Sequence, residues 1–165
     1  TSDRGNGSVF FYGMGASGNN LDYEFTYEQA YLVNGGRYES GGQFMRTDDG
    51  NHHPAITISN LEINDYNTSP MFDMNTSGTL KIENCRMIKT GGIDTLVRLN
   101  SGGNYGTLII DGGGTKATNI YDIDGGDWKV YLRGLSRFSD ADGIFTDGHY
   151  TDRTGVTTNT SASGA

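Results

Sequence analysis

Apolar and polar residues alternate in short runs along this chain, and each run ends at an Asn or a Gly. The clearest run is Leu-Lys-Ile-Glu-Asn at residues 80–84. Alternation with a period of two is typical of a β-strand with one buried face. The pattern therefore predicts repeated strands, whose final residues are Gly13, Asn34, Asn60, Asn84, Gly112 and Gly134.

These final residues recur at a regular interval. Subtracting neighbouring positions gives steps of 21, 26, 24, 28 and 22 residues, and a period in this range indicates a repeat architecture. Each unit also contains a second short run and a third apolar run, followed by Gly, Asn or Asp. Three strands per unit, stacked unit on unit, make a parallel β-helix. The sequence predicts an all-β fold of about six coils over residues 9–148, between a lead-in at 1–8 and a polar tail or linker at 149–165.

Strand alternation assigns a face to each residue of the first strand of a coil. The expected inward pairs are Val9/Phe11, Ala30/Leu32, Ile56/Ile58, Leu80/Ile82, Leu108/Ile110 and Val130/Leu132. At the bend that follows, Asn34, Asn60 and Asn84 are expected on consecutive coils. Stacked Asn side chains can hydrogen-bond to one another, so we expect a structural ladder there.

The third strand of each coil predicts an assembly. If its second apolar residue faces inward, its first faces outward, which leaves a continuous apolar stripe that a soluble monomer rarely exposes. We expect either a sheet that bends and turns the stripe inward or, as the favoured interpretation, a homotrimer that buries it. The stripe is Phe44, Met71, Leu96, Ile120 and Ile144. The column beside it alternates in charge, which stabilises neighbouring strands: Arg46, Asp73, Arg98, Asp122 and Thr146.

Composition narrows the classes of function. The chain has 26 Gly, 2 Pro and a net charge of −8. Without a basic stripe, this charge argues against a nucleic-acid partner. No apolar run approaches the length that spans a membrane, so no membrane insertion is expected. A lone cysteine, Cys85, makes no internal disulfide. No cofactor and no metal are predicted.

The apolar-x-apolar-x-Asn/Gly strand ends, the Gly- and Asn-rich turns and the coil length resemble the single-stranded right-handed parallel β-helix (pectate-lyase-like) family. That family includes polysaccharide enzymes and the tailspike and tail-fibre proteins of bacteriophages. The Gly, Asn, Ser and Thr content resembles the phage proteins more. The resemblance implies a segment of a trimeric fibre in the virion tail, or outside the cell. It also implies other virion tail proteins as partners and adhesion to host surface polysaccharide. The alternatives are a polysaccharide lyase or glycoside hydrolase (a depolymerase), and a purely structural tail or baseplate shaft.

Two carboxylates are the candidate catalytic residues. Glu83 and Asp111 are expected in one outward column on adjacent coils, about 5 Å apart, which is close to the carboxyl separation of retaining glycosidases. Like charges at this distance raise one pKa, as an acid catalyst requires. The favoured interpretation is instead a solvated acidic edge whose charge Lys81 and Arg133 relieve.

Candidate glycan-binding residues combine aromatic rings with polar groups. An outward tyrosine offers a sugar an apolar face and a polar hydroxyl. The residues predicted to bind glycan are Tyr31, Tyr131, Arg133, Asp48, Asp49 and His52. For the cluster at residues 48–53, a polar loop with no ligand is the favoured alternative.

Overall fold

The computed structural model describes residues 9–14, 30–39, 43–47, 53–64, 70–88, 93–100, 105–140, 143–157 and 162–164. These residues form 18 strands, and no helix occurs among them. The strands lie in three sheets of six, which we call the first, second and third sheets. This order follows the order in which the chain visits them within each repeat.

The first sheet contains β2 (Ala30–Asn34), β5 (Ala55–Ser59), β8 (Gly78–Glu83), β11 (Tyr105–Asp111), β14 (Asp127–Arg133) and β17 (Arg153–Thr157). The second contains β3 (Arg37–Glu39), β6 (Glu62–Asn64), β9 (Arg86–Met87), β12 (Gly114–Thr115), β15 (Ser136–Phe138) and β16 (Thr146–His149). The third contains β1 (Val9–Met14), β4 (Gln43–Thr47), β7 (Phe72–Met74), β10 (Ile93–Asn100), β13 (Ala117–Asp124) and β18 (Ala162–Gly164).

Five strands of every sheet run parallel, and the sixth is antiparallel. From β2 to β15 the chain visits the first, second and third sheets in turn, so it winds as a β-solenoid. The predicted all-β parallel β-helix is confirmed, but the count of six coils is not. Strand β1 pairs with β4 in the third sheet instead of opening the first, and β16 pairs with β15 in the second sheet.

The core is built from columns of side chains that repeat from coil to coil. In the first sheet, β14 alternates strictly between exposed and buried residues. Ile58, Ile82, Ile110 and Leu132 lie in register on neighbouring strands, and each is at most 3% exposed. Each such buried side chain contributes about 1.5–3 kcal/mol of hydrophobic stabilisation, so these columns hold the coils together.

The predicted register of β2 is wrong by one residue. Tyr31 pairs with Ile56 and Val33 with Ile58, so Val33 packs against the core while Leu32 is 73% exposed. The reason lies at the bend, where the left-handed residue is Gly35, with φ of 75°. The comparison of the repeats with one another placed this bend one position early, at Asn34.

The predicted apolar stripe faces the core instead of a partner. Phe44, Met71, Leu96 and Ile120 are each at most 1% exposed, so the prediction that they form a trimer interface is wrong. The Phe44 ring packs edge-on against Tyr38, with centroids 5.2 Å apart, and against Phe72, at 5.6 Å. The residues that follow them are buried as well: Met45, Phe72, Val97 and Tyr121.

Two consecutive buried positions break the alternation that the prediction assumed. All eight side chains belong to one core cluster, so the chain turns both positions inward. The fifth predicted stripe residue, Ile144, lies outside the third sheet and is 70% exposed.

The charged column of the third sheet is present. Arg46, Asp73, Arg98 and Asp122 lie in register on four neighbouring strands. The side chain of Asp73 is 1% exposed and accepts hydrogen bonds from Arg98 at 3.1 and 2.7 Å. These bonds raise the pKa of the Arg98 guanidinium. A buried carboxylate is stable here because its charge is paired. Thr146, the fifth predicted member, lies instead in the second sheet.

One end of the solenoid is capped by the chain itself. Strands β16, β17 and β18 pair antiparallel with β15, β14 and β13, one in each sheet, and so cover edges that would otherwise be open to other strands. We call this segment, residues 146–164, the cap. It includes β17 and β18 from the region that the sequence predicted as a tail or linker.

The cap also replaces contacts that a further coil would make. At the bends of the preceding coils, the backbone N–H of the left-handed residue donates to a carbonyl of the following coil, on the neighbouring strand of the first sheet. Gly112, for example, donates to the Arg133 carbonyl at 2.8 Å. At the last bend, the N–H of Gly134 donates to the Asp152 carboxylate at 2.9 Å. Buried Tyr150 closes the core and donates its hydroxyl to the Ala117 carbonyl at 2.6 Å.

Candidate ligand groove on the first sheet

The predicted Asn ladder is present at the bend between the first and second sheets. Asn84 donates to the Asn60 side-chain oxygen at 2.9 Å, and Asn60 donates to that of Asn34, also at 2.9 Å. Asn60 and Asn84 have φ of 56° and 49°, so they supply both the left-handed bend and the ladder. Asn34 lies one residue before its bend but still reaches the ladder. The ladder is a structural element, and it marks the edge of the first sheet.

Substitutions at Asn60 separate these two roles. Asn60→Gly keeps the left-handed bend and loses two exposed hydrogen bonds, so we expect a loss of about 1 kcal/mol in the free energy of unfolding. Asn60→Leu also forces a branched side chain into the left-handed region, which costs about 1–2 kcal/mol more. Urea denaturation of both variants measures the difference. Equal losses would contradict the backbone role.

The two candidate catalytic carboxylates lie opposite one another on β8 and β11, but each has its own cation. Lys81 Nζ lies 2.6 Å from Glu83. Arg133 donates from Nε to Asp111 Oδ1 at 3.0 Å, and its Nη2 donates to Oδ2. These bonds lower the pKa of Asp111, whereas the catalytic hypothesis required one raised pKa. The ion pairs agree with the favoured interpretation, an acidic edge whose charge Lys81 and Arg133 relieve.

A groove of about 300 Å³ crosses the outer face of the first sheet next to the cap. It spans β11 and β14 and continues onto β17. Ile109, Tyr131 and Thr154 lie in register across these three strands. The residues that line it are Ile109, Ile110, Asp111, Tyr131, Leu132, Arg133, Arg153 and Thr154.

The groove combines an aromatic surface with unequal charge. Tyr131 is 36% exposed, so part of its ring is open to a ligand. The charged residues among its lining are Asp111, Arg133 and Arg153. Arg153 lies in register with buried Leu132, so its side chain is on the face of the sheet opposite Tyr131. The Arg133 side chain is 75% exposed, and Asp111 raises the pKa of its guanidinium, with smaller contributions from Asp152 and Glu83. Within the described part of the chain, no carboxylate lies at ion-pair distance from Arg153.

The structure brings together some of the predicted site residues and separates others. Tyr131, Arg133 and Asp111 meet in the groove. Tyr31 lies on β2, four strands away from β14 in the same sheet, or about 19 Å at the usual strand spacing. This distance places it outside the groove. Asp48, Asp49 and His52 lie outside the described residues.

Sequence reasoning missed Arg153 and Thr154. Both lie on β17, which is antiparallel and therefore carries no copy of the repeat. The available signal was the position of Arg153 in a polar segment with many threonines, and this signal is too common to point to a site. They reach the groove only because the chain turns back after the last coil, so that β17 pairs antiparallel with β14.

Other chemistry is not found in the described residues. They contain no group of three or more His, Cys, Asp or Glu side chains that could hold a metal ion. They also contain no helix that is long and apolar enough to cross a membrane. Buried Cys85 has a raised pKa because burial disfavours its thiolate, so this thiol is a weak nucleophile.

Comparisons with known proteins leave the groove as the main guide to function. No protein-family model matches the chain, and no curated protein or solved structure matches it significantly. The functional argument therefore depends on the geometry and charges of the groove.

Proposed function

We propose that this chain is an adhesion module that binds a surface polysaccharide through the groove on the first sheet. The observation that carries the proposal is the position of Tyr131, part-exposed beside the paired Asp111 and Arg133. An aromatic ring packs against the apolar face of a sugar, while charged groups bond its hydroxyls. The strands that carry these residues are parallel and buried on one face, so the site is rigid before the ligand arrives.

The resemblance to tailspike and tail-fibre proteins supports a more specific proposal, in which the module lies in a phage tail and the ligand is a polysaccharide of the host surface. A β-solenoid suits this role because its long sides offer an extended surface to a polymer. The homotrimer stays a prediction, but four of the five residues of its proposed interface are buried in the single chain, and only Ile144 is exposed. Sedimentation equilibrium measures the subunit number directly.

The alternative of a depolymerase loses the observation that favoured it. The Glu83 and Asp111 carboxylates are each bonded to a cation, and the pKa of Asp111 is lowered. Incubation with polysaccharide followed by size-exclusion chromatography tests this alternative. Shortened chains would favour the enzyme, whereas binding without shortening favours adhesion and absence of both favours a structural shaft.

Tyr131→Ala is expected to weaken polysaccharide binding about tenfold, because a tenfold change corresponds to about 1.4 kcal/mol of lost ring contact. Biolayer interferometry on immobilised bacterial surface polysaccharides measures it. Tyr105→Ala is the matched control, since Tyr105 is 54% exposed on the same sheet but lies outside the groove. Equal affinities of the two variants would contradict the proposal.

A further inference from the structure

We infer that ligand binding in the groove is coupled to the pairing of β17 with β14, and that Thr154 makes this coupling by bonding the ligand. This inference rests on the proposed function and extends it to the regulation of the same site. It is carried by the strand register and by the position of β17 at the edge of the first sheet.

The first step concerns the side chain that β17 presents to the groove. Thr154 lies in register with Tyr131, so the two side chains project from the same face of the sheet. Thr154 is exposed, and both residues line the groove. Opposed residues of an antiparallel pair have β-carbons about 4.5–5.5 Å apart, so a sugar seated on the Tyr131 ring reaches the Thr154 hydroxyl. This hydroxyl both donates and accepts hydrogen bonds, as sugar hydroxyls do.

The second step concerns how the groove is divided between the coils and the cap. Ile109 lies in register with Tyr131 on the side opposite Thr154. Asp111 and Arg133, which pair with each other, lie two residues further along the same strands, so they share this outer face. Four of these five groove residues belong to the coil strands β11 and β14, whereas Thr154 belongs to the cap. A ligand that spans the groove therefore contacts both parts.

The third step concerns how firmly β17 is held. It is the last strand of the first sheet as described, with β14 on one side, whereas β11 has a strand on both sides. A strand with fewer neighbours opens locally at a lower free energy. A ligand that binds only the paired state opposes this opening by mass action. Contact with Thr154 therefore keeps β17 paired, and by reciprocity the pairing of β17 raises the affinity for the ligand.

Amide hydrogen exchange of the full chain, with and without ligand, tests the coupling. The probe is the member of a panel of purified bacterial capsular and O-antigen polysaccharides that binds the native chain most tightly. At a ligand concentration of about 100 times its Kd, mass action slows exchange through the opening of β17 about 100-fold. Strand β2 is the matched control, because it is the opposite edge strand of the same sheet and lies outside the groove. We expect exchange in β2 to be unchanged.

Substitutions at Thr154 test its role. Thr154→Val removes the hydroxyl and keeps the branched shape, so we expect affinity to fall about tenfold. At the same ligand concentration, the slowing of β17 exchange then falls from about 100-fold to about tenfold. Thr154→Ser keeps the hydroxyl and should bind like the native chain. Thr151→Val is the matched control, because Thr151 is also exposed but does not line the groove. Exchange without ligand confirms that β17 is paired in each variant.

The outcomes separate this inference from the proposed function. Binding that slows exchange in β17 no more than in β2 overturns the inference and leaves polysaccharide adhesion standing. So does an affinity that Thr154→Val leaves unchanged. Equal weakening by Thr154→Val and Thr151→Val overturns the role of Thr154, because it shows an effect that does not depend on the groove. Binding to no polysaccharide of the panel overturns the proposed function, and the inference with it.

Discussion

Gly113→Ala is expected to lower the free energy of unfolding by about 2–5 kcal/mol, since an overpacked contact and a left-handed alanine both destabilise the fold. Gly113 has φ of 76°. A β-carbon there would lie 2.7 Å from the Cys85 backbone nitrogen and nearer still to its carbonyl oxygen. Because this neighbour is backbone, relief requires the two coils to separate at a point where Gly114 donates to the Cys85 carbonyl at 2.9 Å.

The adjacent glycine provides a control that isolates the steric term. Gly112 has φ of 68°, yet nothing lies within 4 Å of a β-carbon built on it. Asn60 and Asn84 occupy the equivalent bends with a similar φ, so Gly112→Asn is expected to change stability by no more than about 0.5 kcal/mol. Denaturation in urea, followed by circular dichroism, measures both variants. Equal losses would show that the close contact between coils is not the cause.

The second large effect is expected at the cap. Tyr150→Ala should lower the free energy of unfolding by about 3–5 kcal/mol, because it removes a buried ring and leaves a cavity at the end of the core. Tyr150→Phe keeps the ring and loses only the hydroxyl that donates to the Ala117 carbonyl, so about 1 kcal/mol is expected. Thermal or urea denaturation at neutral pH compares the two.

The same tyrosine predicts a pH dependence that Tyr150→Phe removes. Burial raises the pKa of Tyr150 to about 12, because the phenolate is disfavoured in the core. The unfolded chain ionises near its ordinary value of about 10. The folded state is therefore fully stabilised below about pH 10 and loses about 3 kcal/mol of this contribution as the pH rises towards 12. Unfolding measured from pH 8 to 12 should show this loss in the native chain only, and parallel curves for the two proteins would contradict the assignment.

Much of the architecture followed from sequence because each coil repeats the same local pattern. The alternation at residues 80–84 and its copies predicted strands, and the interval between bends predicted stacking. Asn60 and Asn84 marked the bend correctly because few residues other than Gly and Asn adopt a left-handed conformation. Asp73 and Arg98 were placed in one column because residues at equivalent positions of a solenoid become neighbours.

The errors arose where the pattern leaves two solutions. At β2, both Leu32 and Val33 are apolar, so either register of the strand satisfied the alternation, and the bend at Gly35 decided between them. At β4, both Phe44 and Met45 are apolar, and strict alternation would expose one of them. The folded chain buries both, because Phe44 packs against Tyr38 of the second sheet and Phe72 of the neighbouring strand, contacts that no local pattern encodes.

For the candidate site, the sequence by itself determined that Tyr131, Arg133 and Asp111 lie near one another on the outer face of the repeat. Their spacing within the repeat follows directly from the strand period and the coil length. The favoured interpretation of the sequence also placed Arg133 beside this acidic edge, and the structure shows it bonded to Asp111. Only the tertiary structure decided that Arg153 and Thr154 complete the groove. The cap returns antiparallel to the coils and carries no repeat, so its place depends on long-range pairing with β14 that no local pattern encodes.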